Sequence, residues 1–121
     1  MTQPVDIYDR LFRFACRTIA FCRTLSRTDV ASVVLARQLV ASATSAGANS
    51  EEAKAAGSRR DFRARFRIVL KESRESKYWL KVAVACGMGN QPEAAWLQNE
   101  ADELVAILTT ILKRTEPHSH S

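Results

Sequence analysis

The chain has 121 residues and a formal net charge of +5 at pH 7, with only four glycines and three prolines. That length indicates one domain with a sizeable core, and the lack of alternating β-branched runs excludes a sheet protein. Three cysteines without paired spacing indicate reduced thiols in a cytoplasmic protein rather than a disulfide framework. No stretch approaches the roughly 18 apolar residues of a membrane span, so we expect no membrane contact.

The first predicted helix covers residues 5–26, and the second covers residues 30–56 after a short polar joint. Thr28 or Asp29 can cap the second helix at its start. Its middle consists of small residues, with Asn49 on the apolar face, and we expect the helix to continue through Gly47. Asn49 is expected to fix register or to bond to nearby backbone. The first helix carries a seam with the 4-3-4-3-4 spacing of a bundle, formed by Ile7, Leu11, Phe14, Thr18, Phe21 and Leu25.

Glycines and caps mark the remaining joints. Gly57 is expected to end the second helix in the C′ position, and Ser58 with Asp61 resembles a capping box for a third helix over residues 59–86. A glycine-rich turn leads to a fourth helix over residues 92–113, and residues 115–121 are expected to be disordered. Short joints make neighbouring helices antiparallel, so residues 1–114 are predicted to form an all-α, up-down-up-down four-helix bundle.

The third helix holds most of the positive charge. Residues 58–85 contain nine Lys or Arg and three acids, a surplus of six that exceeds that of the whole chain. Like charges one turn apart destabilise a helix, and arginine suits phosphate contact, which favours binding of RNA or DNA. A solvated or intersubunit ion-pairing face and an acidic protein partner stay open. At about 100° per residue, the cations that fall on one arc are Arg60, Arg63, Arg67, Lys71, Arg74, Lys77 and Lys81.

The same helix has more apolar surface than one seam needs. A wide buried face explains this surface, and so does a contact between subunits, since Trp is enriched at interfaces and large apolar patches are uncommon on soluble monomers. The residues predicted to form an oligomer interface are Ile68, Glu72, Glu75, Trp79 and Val82.

The sequence contains no obvious set of catalytic residues. A carboxylate-bridged metal bundle needs Glu-x-x-His pairs, but both histidines, His118 and His120, lie in the C-terminal tail. The cysteines have no histidine partner that could act as a base, and there is no phosphate-binding glycine loop. We therefore predict no enzyme activity, no metal site and no cofactor.

Residues 42–53, SATSAGANSEEA, together with SRRDF, RIVLKES and the segment ending in KYWL, resemble the bacterial 23S rRNA intervening-sequence proteins. Asn49, Glu52 and Tyr78 belong to the motifs that carry this resemblance, and we expect a structural role for them. The resemblance implies an antiparallel four-helix bundle, a homopentamer and a largely unassigned function. It also points to a related bundle, the accessory variability determinant of diversity-generating retroelements, and so to a reverse transcriptase as an example of an acidic protein partner.

Overall fold

The computed structural model describes residues 6–117. Its four helices are α1 (Ile7–Cys22), α2 (Val30–Lys54), α3 (Arg59–Ala85) and α4 (Gln91–Arg114), and the described residues include no strand. α2 packs against α1 and α3, and α4 packs against α3 and α1. The all-α four-helix bundle predicted from the sequence is confirmed, and α2 is continuous through Gly47.

Each helix begins at a side chain that accepts a hydrogen bond from a backbone N–H of the first turn. Such caps satisfy one of the four free N–H groups at a helix start. The predicted caps Asp29 and Ser58 are confirmed, with Ser58 accepting from the N–H of Asp61. Asp6 and Asn90 perform the same role for α1 and α4.

The first helix ends earlier than the sequence predicts, at Cys22 rather than near residue 26. The N–H of Thr24 bonds to the carbonyl of Phe21, and that of Leu25 bonds to the carbonyl of Cys22. These i to i−3 bonds form a tighter turn than an α-helix. Leu25 is still buried after the helix has ended, so the apolar spacing runs beyond the helical backbone.

Among the described residues, the glycines with left-handed backbone are in the α3–α4 turn. Gly87 has φ 63° and Gly89 has φ 68°, whereas Gly57 does not have a positive φ. The prediction that Gly57 ends α2 in the C′ position is therefore wrong: α2 ends at Lys54 with Ala55 as its C-cap, so Gly57 lies one residue beyond C′. No atom lies within 4 Å of a Cβ built on Gly57.

Gly89 is required by both its backbone and its surroundings. A Cβ at this position would lie 2.8 Å from Leu25 Cδ2 and 3.0 Å from Phe21 Cε1. A residue with a side chain would also be strained at positive φ. The α3–α4 turn is therefore packed directly against the end of α1.

Hydroxyl groups form an unusual part of the interior. Ser42 of α2 and Ser76 of α3 hydrogen-bond to each other with an Oγ–Oγ distance of 2.7 Å. Thr18 Oγ1 and Ser73 Oγ are buried without a hydrogen-bond partner among the described residues. The rest of the core is aliphatic and aromatic, and its largest fully buried side chains include Phe21, Phe66, Leu11, Leu39, Leu80, Leu97, Leu104 and Leu108.

α2 is more apolar than the sequence prediction allowed. By length and composition alone it could cross a membrane: an 18-residue window has a mean hydropathy of 1.2, and 33% of that window is buried inside the bundle. Val30 is 77% exposed and Val34 is 49% exposed on its outer side. These exposed apolar residues lie in the first turns of α2, whereas its later exposed positions include Arg37, Gln38 and Glu51.

Candidate nucleic-acid interface

Five of the predicted phosphate-binding residues form an unpaired cationic row on α3. Within residues 6–117 none of them makes an ion pair, and all are exposed. Because an α-helix rises about 1.5 Å per residue, the row extends for about 30 Å along the helix. We call it the basic row; its members are Arg60, Arg67, Lys71, Arg74 and Lys81.

Arg63 is not a member of this row, because its guanidinium is bound inside the bundle; its predicted contact with nucleic acid stays a prediction. Its side chain is buried, at 8% exposure. Nη1 donates to the carbonyl oxygen of Leu112 over 2.6 Å and to Thr115 Oγ1 over 3.0 Å. Arg63 therefore binds carbonyl and hydroxyl groups that α4 presents at its C-terminal end. Thr115, which we expected in a disordered tail, is held by these contacts, while residues 118–121, with both histidines, lie outside the described residues.

Lys77 is the second predicted member that the structure pairs internally. Its Nζ lies 3.1 Å from an Asp102 carboxylate oxygen on α4, and both side chains are about half exposed. An exposed pair of this kind contributes little to stability. It still neutralises part of the charge, so Lys77 is a weaker candidate for phosphate contact than its neighbours.

Two hollows on the outer side of α3 are lined by cations. One, of about 460 Å³, is lined by Arg67, Leu70, Lys71, Arg74 and Glu75. The second, of about 380 Å³, is lined by Arg59, Arg60, Arg63, Arg67 and Pro117. Hollows of this size can hold a phosphate group. Positive charge is also the main source of sequence-independent affinity for nucleic acid.

α4 extends the cationic surface with a residue that sequence reasoning missed. Lys113 shares a smaller hollow with Arg63 and Thr109, and Lys113 itself is exposed in the last turn of α4. Cations in the last turn of a helix are common because they interact favourably with its C-terminal carbonyl groups. Because its place in α4 already explained Lys113, the sequence did not predict that it lies close to α3.

The cations of α1 contrast with those of the basic row. Arg10 and Arg17 each bind a carboxylate of α4, Glu100 and Glu93 respectively. These hydrogen bonds raise the pKa of both guanidinium groups. The Arg17 guanidinium also lies 3.5 Å from the centroid of the Trp96 ring, a cation–π contact. Arg10 and Arg17 thus form ion pairs between α1 and α4, whereas the basic row has no such partners.

The predicted oligomer residues lie on the outer side of the α2–α3 pair. Trp79 and Val82 line an apolar groove of about 530 Å³ with Val34 of α2 and Met88 of the following turn. Ile68 is exposed nearer the N-terminal end of α3 and lines a second hollow beside Glu52. We call this surface the α2–α3 face.

Glu72 and Glu75 lie between these apolar residues. Burial raises the pKa of Glu72, and the nearby Glu75 carboxylate raises it further. Neither acid makes an ion pair within residues 6–117. The α2–α3 face therefore combines apolar side chains with negative charge that has no partner inside the bundle.

The three residues assigned a structural role differ in their surroundings. Asn49 Nδ2 donates to the carbonyl of Ser45, and its Oδ1 accepts from Arg65 across the α2–α3 contact. Glu52 is exposed and lines the hollow beside Ile68. Tyr78 is 58% exposed, and its ring contacts the Trp79 ring edge-on, with centroids 5.2 Å apart.

Comparison with known proteins identifies relatives of the whole bundle. A family model described as 23S rRNA-intervening sequence protein matches residues 3–110. A crystal structure of a protein with unknown function, from the S23 ribosomal protein family of Bacteroides thetaiotaomicron VPI-5482, is similar with a TM-score of 0.80 and 30% identity. The similarity covers 89% of this chain and 99% of that chain. No curated protein matches the sequence. The predicted relationship to the retroelement accessory protein is not addressed by these matches and stays a prediction.

Proposed function

The chain belongs to the 23S rRNA-intervening sequence protein family, and from that premise we propose that it is a non-enzymatic, homo-oligomeric bundle that binds RNA or DNA. The binding surface is the basic row of α3 with Lys113 of α4. One observation carries the proposal: these cations are concentrated on one surface, and within residues 6–117 they have no acidic partner, while Arg10, Arg13 and Arg17 of α1 are all paired.

The geometry of the basic row favours contact with phosphate groups rather than with base edges. Arg60, Arg67, Arg74 and Lys81 are spaced seven residues apart, so they follow one side of the helix over about 30 Å. Base-specific recognition needs polar side chains inserted in a groove, and this surface offers a straight line of cations. The proposed affinity is therefore sensitive to salt and tolerant of sequence.

A matched pair of triple variants tests this proposal. The first variant replaces Arg67, Lys71 and Arg74 with Gln. The control also introduces Gln, in place of Arg23, Arg27 and Arg37. These arginines are exposed elsewhere on the bundle and make no ion pair within the described residues. Both variants lose three positive charges, so a difference between them reports the position of the charge and not its total.

The measurement is fluorescence anisotropy of labelled RNA and DNA over a series of salt concentrations. We expect the first variant to lower the slope of log affinity against log salt by about 2 to 3, since each lost phosphate contact removes about 0.7 to 0.9. The control should keep most of the wild-type slope. Equal effects in both variants would contradict the assignment to α3. A wild-type protein that ignores nucleic acid at about 50 mM salt would refute the proposal and leave the acidic-protein alternative.

The α2–α3 face is the proposed contact between subunits of a homopentamer. Two features support it: α2 exposes Val30 and Val34 in its first turns, and Trp79 and Val82 form an open apolar groove with Val34. The face also carries the unpaired acids Glu72 and Glu75. A two-fold contact would bring this acidic face against its own copy, whereas a ring places it against a different surface of the next subunit.

Light scattering of one charged variant tests the subunit contact. Val34→Asp inserts a carboxylate into the apolar groove, where an unpaired charge is strongly unfavourable, and should reduce the mass to that of a single chain. Asn99→Asp adds the same charge on an exposed position of α4 and should leave the mass unchanged. A wild-type mass of 13.5 kDa would overturn the proposed assembly.

A further inference from the structure

Tyr78 is the aromatic residue that lies within the cationic surface of α3. Its ring is 58% exposed, whereas the other aromatic residues of this helix, Phe62, Phe66 and Trp79, are buried or half-buried. The motif position suggested a structural role for Tyr78, but its side chain contributes little to the core. Packing in the core therefore does not account for the Tyr78 ring.

Two of the four residues one turn from Tyr78 on the helix surface are cations, and the other two are Glu75 and Val82. Residues three and four positions apart on a helix have Cβ atoms about 5–6 Å apart, so Arg74 lies one turn before Tyr78 and Lys81 lies one turn after it. Both are exposed and make no ion pair within residues 6–117. The ring therefore lies between two unpaired positive charges.

Trp79 limits the freedom of the Tyr78 ring. The two rings meet at 71° with centroids 5.2 Å apart, an edge-to-face arrangement that contributes about 0.5–1.5 kcal/mol in proteins. Trp79 is itself half-buried in the α2–α3 groove. Tyr78 is thus held by one neighbour while most of its surface stays open, which reduces the conformational entropy lost when a flat ligand stacks on it.

We propose that Tyr78 stacks against an unpaired nucleobase while Arg74 and Lys81 contact the phosphates on either side of that base. The inference rests on the proposed function and specifies it further: the preferred ligand is a single-stranded segment rather than a uniform duplex. Aromatic rings flanked by cations are the usual basis of sequence-tolerant single-strand binding, because every base has a flat face. In a duplex the bases are stacked on each other and are not available to the ring.

The test compares Tyr78→Ala with Tyr78→Phe on three ligands of equal length: a single-stranded RNA, an abasic single strand and a duplex RNA. Stacking on one aromatic ring contributes about 1–3 kcal/mol per base, which corresponds to about 5- to 150-fold in affinity. We expect Tyr78→Ala to weaken binding of the base-containing strand by at least about fivefold. Tyr78→Phe should bind like wild type, and neither variant should change binding of the abasic strand or the duplex by more than about twofold.

The outcomes separate this inference from the proposed function. If wild-type protein binds no nucleic acid, the proposed function fails. If wild-type binding is salt-sensitive and Tyr78→Ala binds the single strand equally well, the stacking role is refuted and the phosphate surface remains. A loss of affinity that is equal on the abasic strand, or a change in oligomeric mass, would show that Tyr78 acts through assembly and would also overturn the stacking role.

Discussion

The Arg63 guanidinium donates a hydrogen bond to the carbonyl oxygen of Leu112 over 2.6 Å. This contact joins the first turns of α3 to the last turns of α4, 49 residues further along the chain. Helix C-termini leave four carbonyl groups without partners inside the helix, and a buried cation is a strong donor to such a group. A residue that belongs to the cationic arc by its spacing is therefore a structural residue.

Arg63→Ala should destabilise the fold by about 2 kcal/mol, because it removes charge-assisted bonds to the Leu112 carbonyl and the Thr115 hydroxyl. Arg67→Ala, on the exposed row, should change the free energy of unfolding by less than about 0.5 kcal/mol. Urea unfolding at one fixed protein concentration measures both. In the nucleic-acid binding assay Arg67→Ala should have the larger effect and bind more weakly than wild type. Arg63→Ala should bind like wild type at temperatures where it is folded. Equal stability of the two variants would contradict the structural role of Arg63.

The two buried serines Ser73 and Ser76 should respond oppositely to replacement by alanine. Ser73→Ala removes a buried hydroxyl that has no hydrogen-bond partner among the described residues, so stability should be unchanged or increase by up to about 1 kcal/mol. Ser76→Ala removes the hydrogen bonds of Ser76 to Ser42 and to the Glu72 carbonyl, while Ser42 keeps the Leu39 carbonyl as an acceptor. It should cost about 1 kcal/mol. Chemical denaturation gives both values. A loss on Ser73→Ala as large as that on Ser76→Ala would show that Ser73 has a partner, such as a buried water.

Glu72 should make stability depend on pH in an identifiable direction. Burial and the Glu75 carboxylate raise its pKa in the folded state, so the folded protein holds this proton more tightly than the unfolded chain does. The resulting stabilisation is fully present below the ordinary Glu pKa and is lost as the pH rises through the raised folded-state value. Glu72→Gln should therefore raise the melting temperature at pH 7 and leave it nearly unchanged at about pH 4.

The control for this measurement is Glu52→Gln, which removes an exposed carboxylate without an ion pair in the described part of the chain. Its melting temperature should follow that of wild type at both pH values. If Glu72→Gln were destabilising at pH 7, the carboxylate would have to be bound by a cation, and a neighbouring subunit would be the first source to examine.

The three cysteines should differ in their rate of alkylation. Burial raises the pKa of the Cys22 thiol to about 11, so at pH 8 only about one molecule in a thousand carries the reactive thiolate at this position. Cys16 and Cys86 are exposed on the bundle. We expect Cys16 to react rapidly and Cys22 to react slowly, which mass spectrometry of partially alkylated protein can resolve. Rapid labelling of Cys22 in the folded protein would contradict its burial.

Cys86 adds a report on assembly to the same experiment. It lines the α2–α3 groove with Val34, so the proposed subunit contact should slow its alkylation. In the Val34→Asp variant Cys86 should react as fast as Cys16. Rapid labelling of Cys86 in wild-type protein would place the subunit contact elsewhere.

Local signals in the sequence predicted the four helices and two of their caps, because a cap depends on a side chain three residues from the N–H that it binds. The end of α1 was misplaced because Leu25 continues the apolar spacing after the backbone has turned. The internal contacts of Arg63 were not predicted for a different reason. Its partners, Leu112 and Thr115, come from the other end of the chain, and helical spacing on α3 holds no information about α4. For the same reason, the position of Lys113 beside α3 could not be predicted from the sequence.

The two glycine-containing joints that flank α3 differ in how much added mass they can accommodate. Gly57 is exposed and has open space around its Cα, whereas Gly89 is pressed against Leu25 and Phe21. An epitope tag or a fluorescent reporter inserted at residue 57 can extend into solvent. The same insertion at residue 89 would separate the end of α1 from the turn that covers it. Within a single subunit the α2–α3 joint therefore has room for an insertion, but Gly57 lines the same hollow as Ile68 on the α2–α3 face, so an insertion there would lie at the proposed subunit contact.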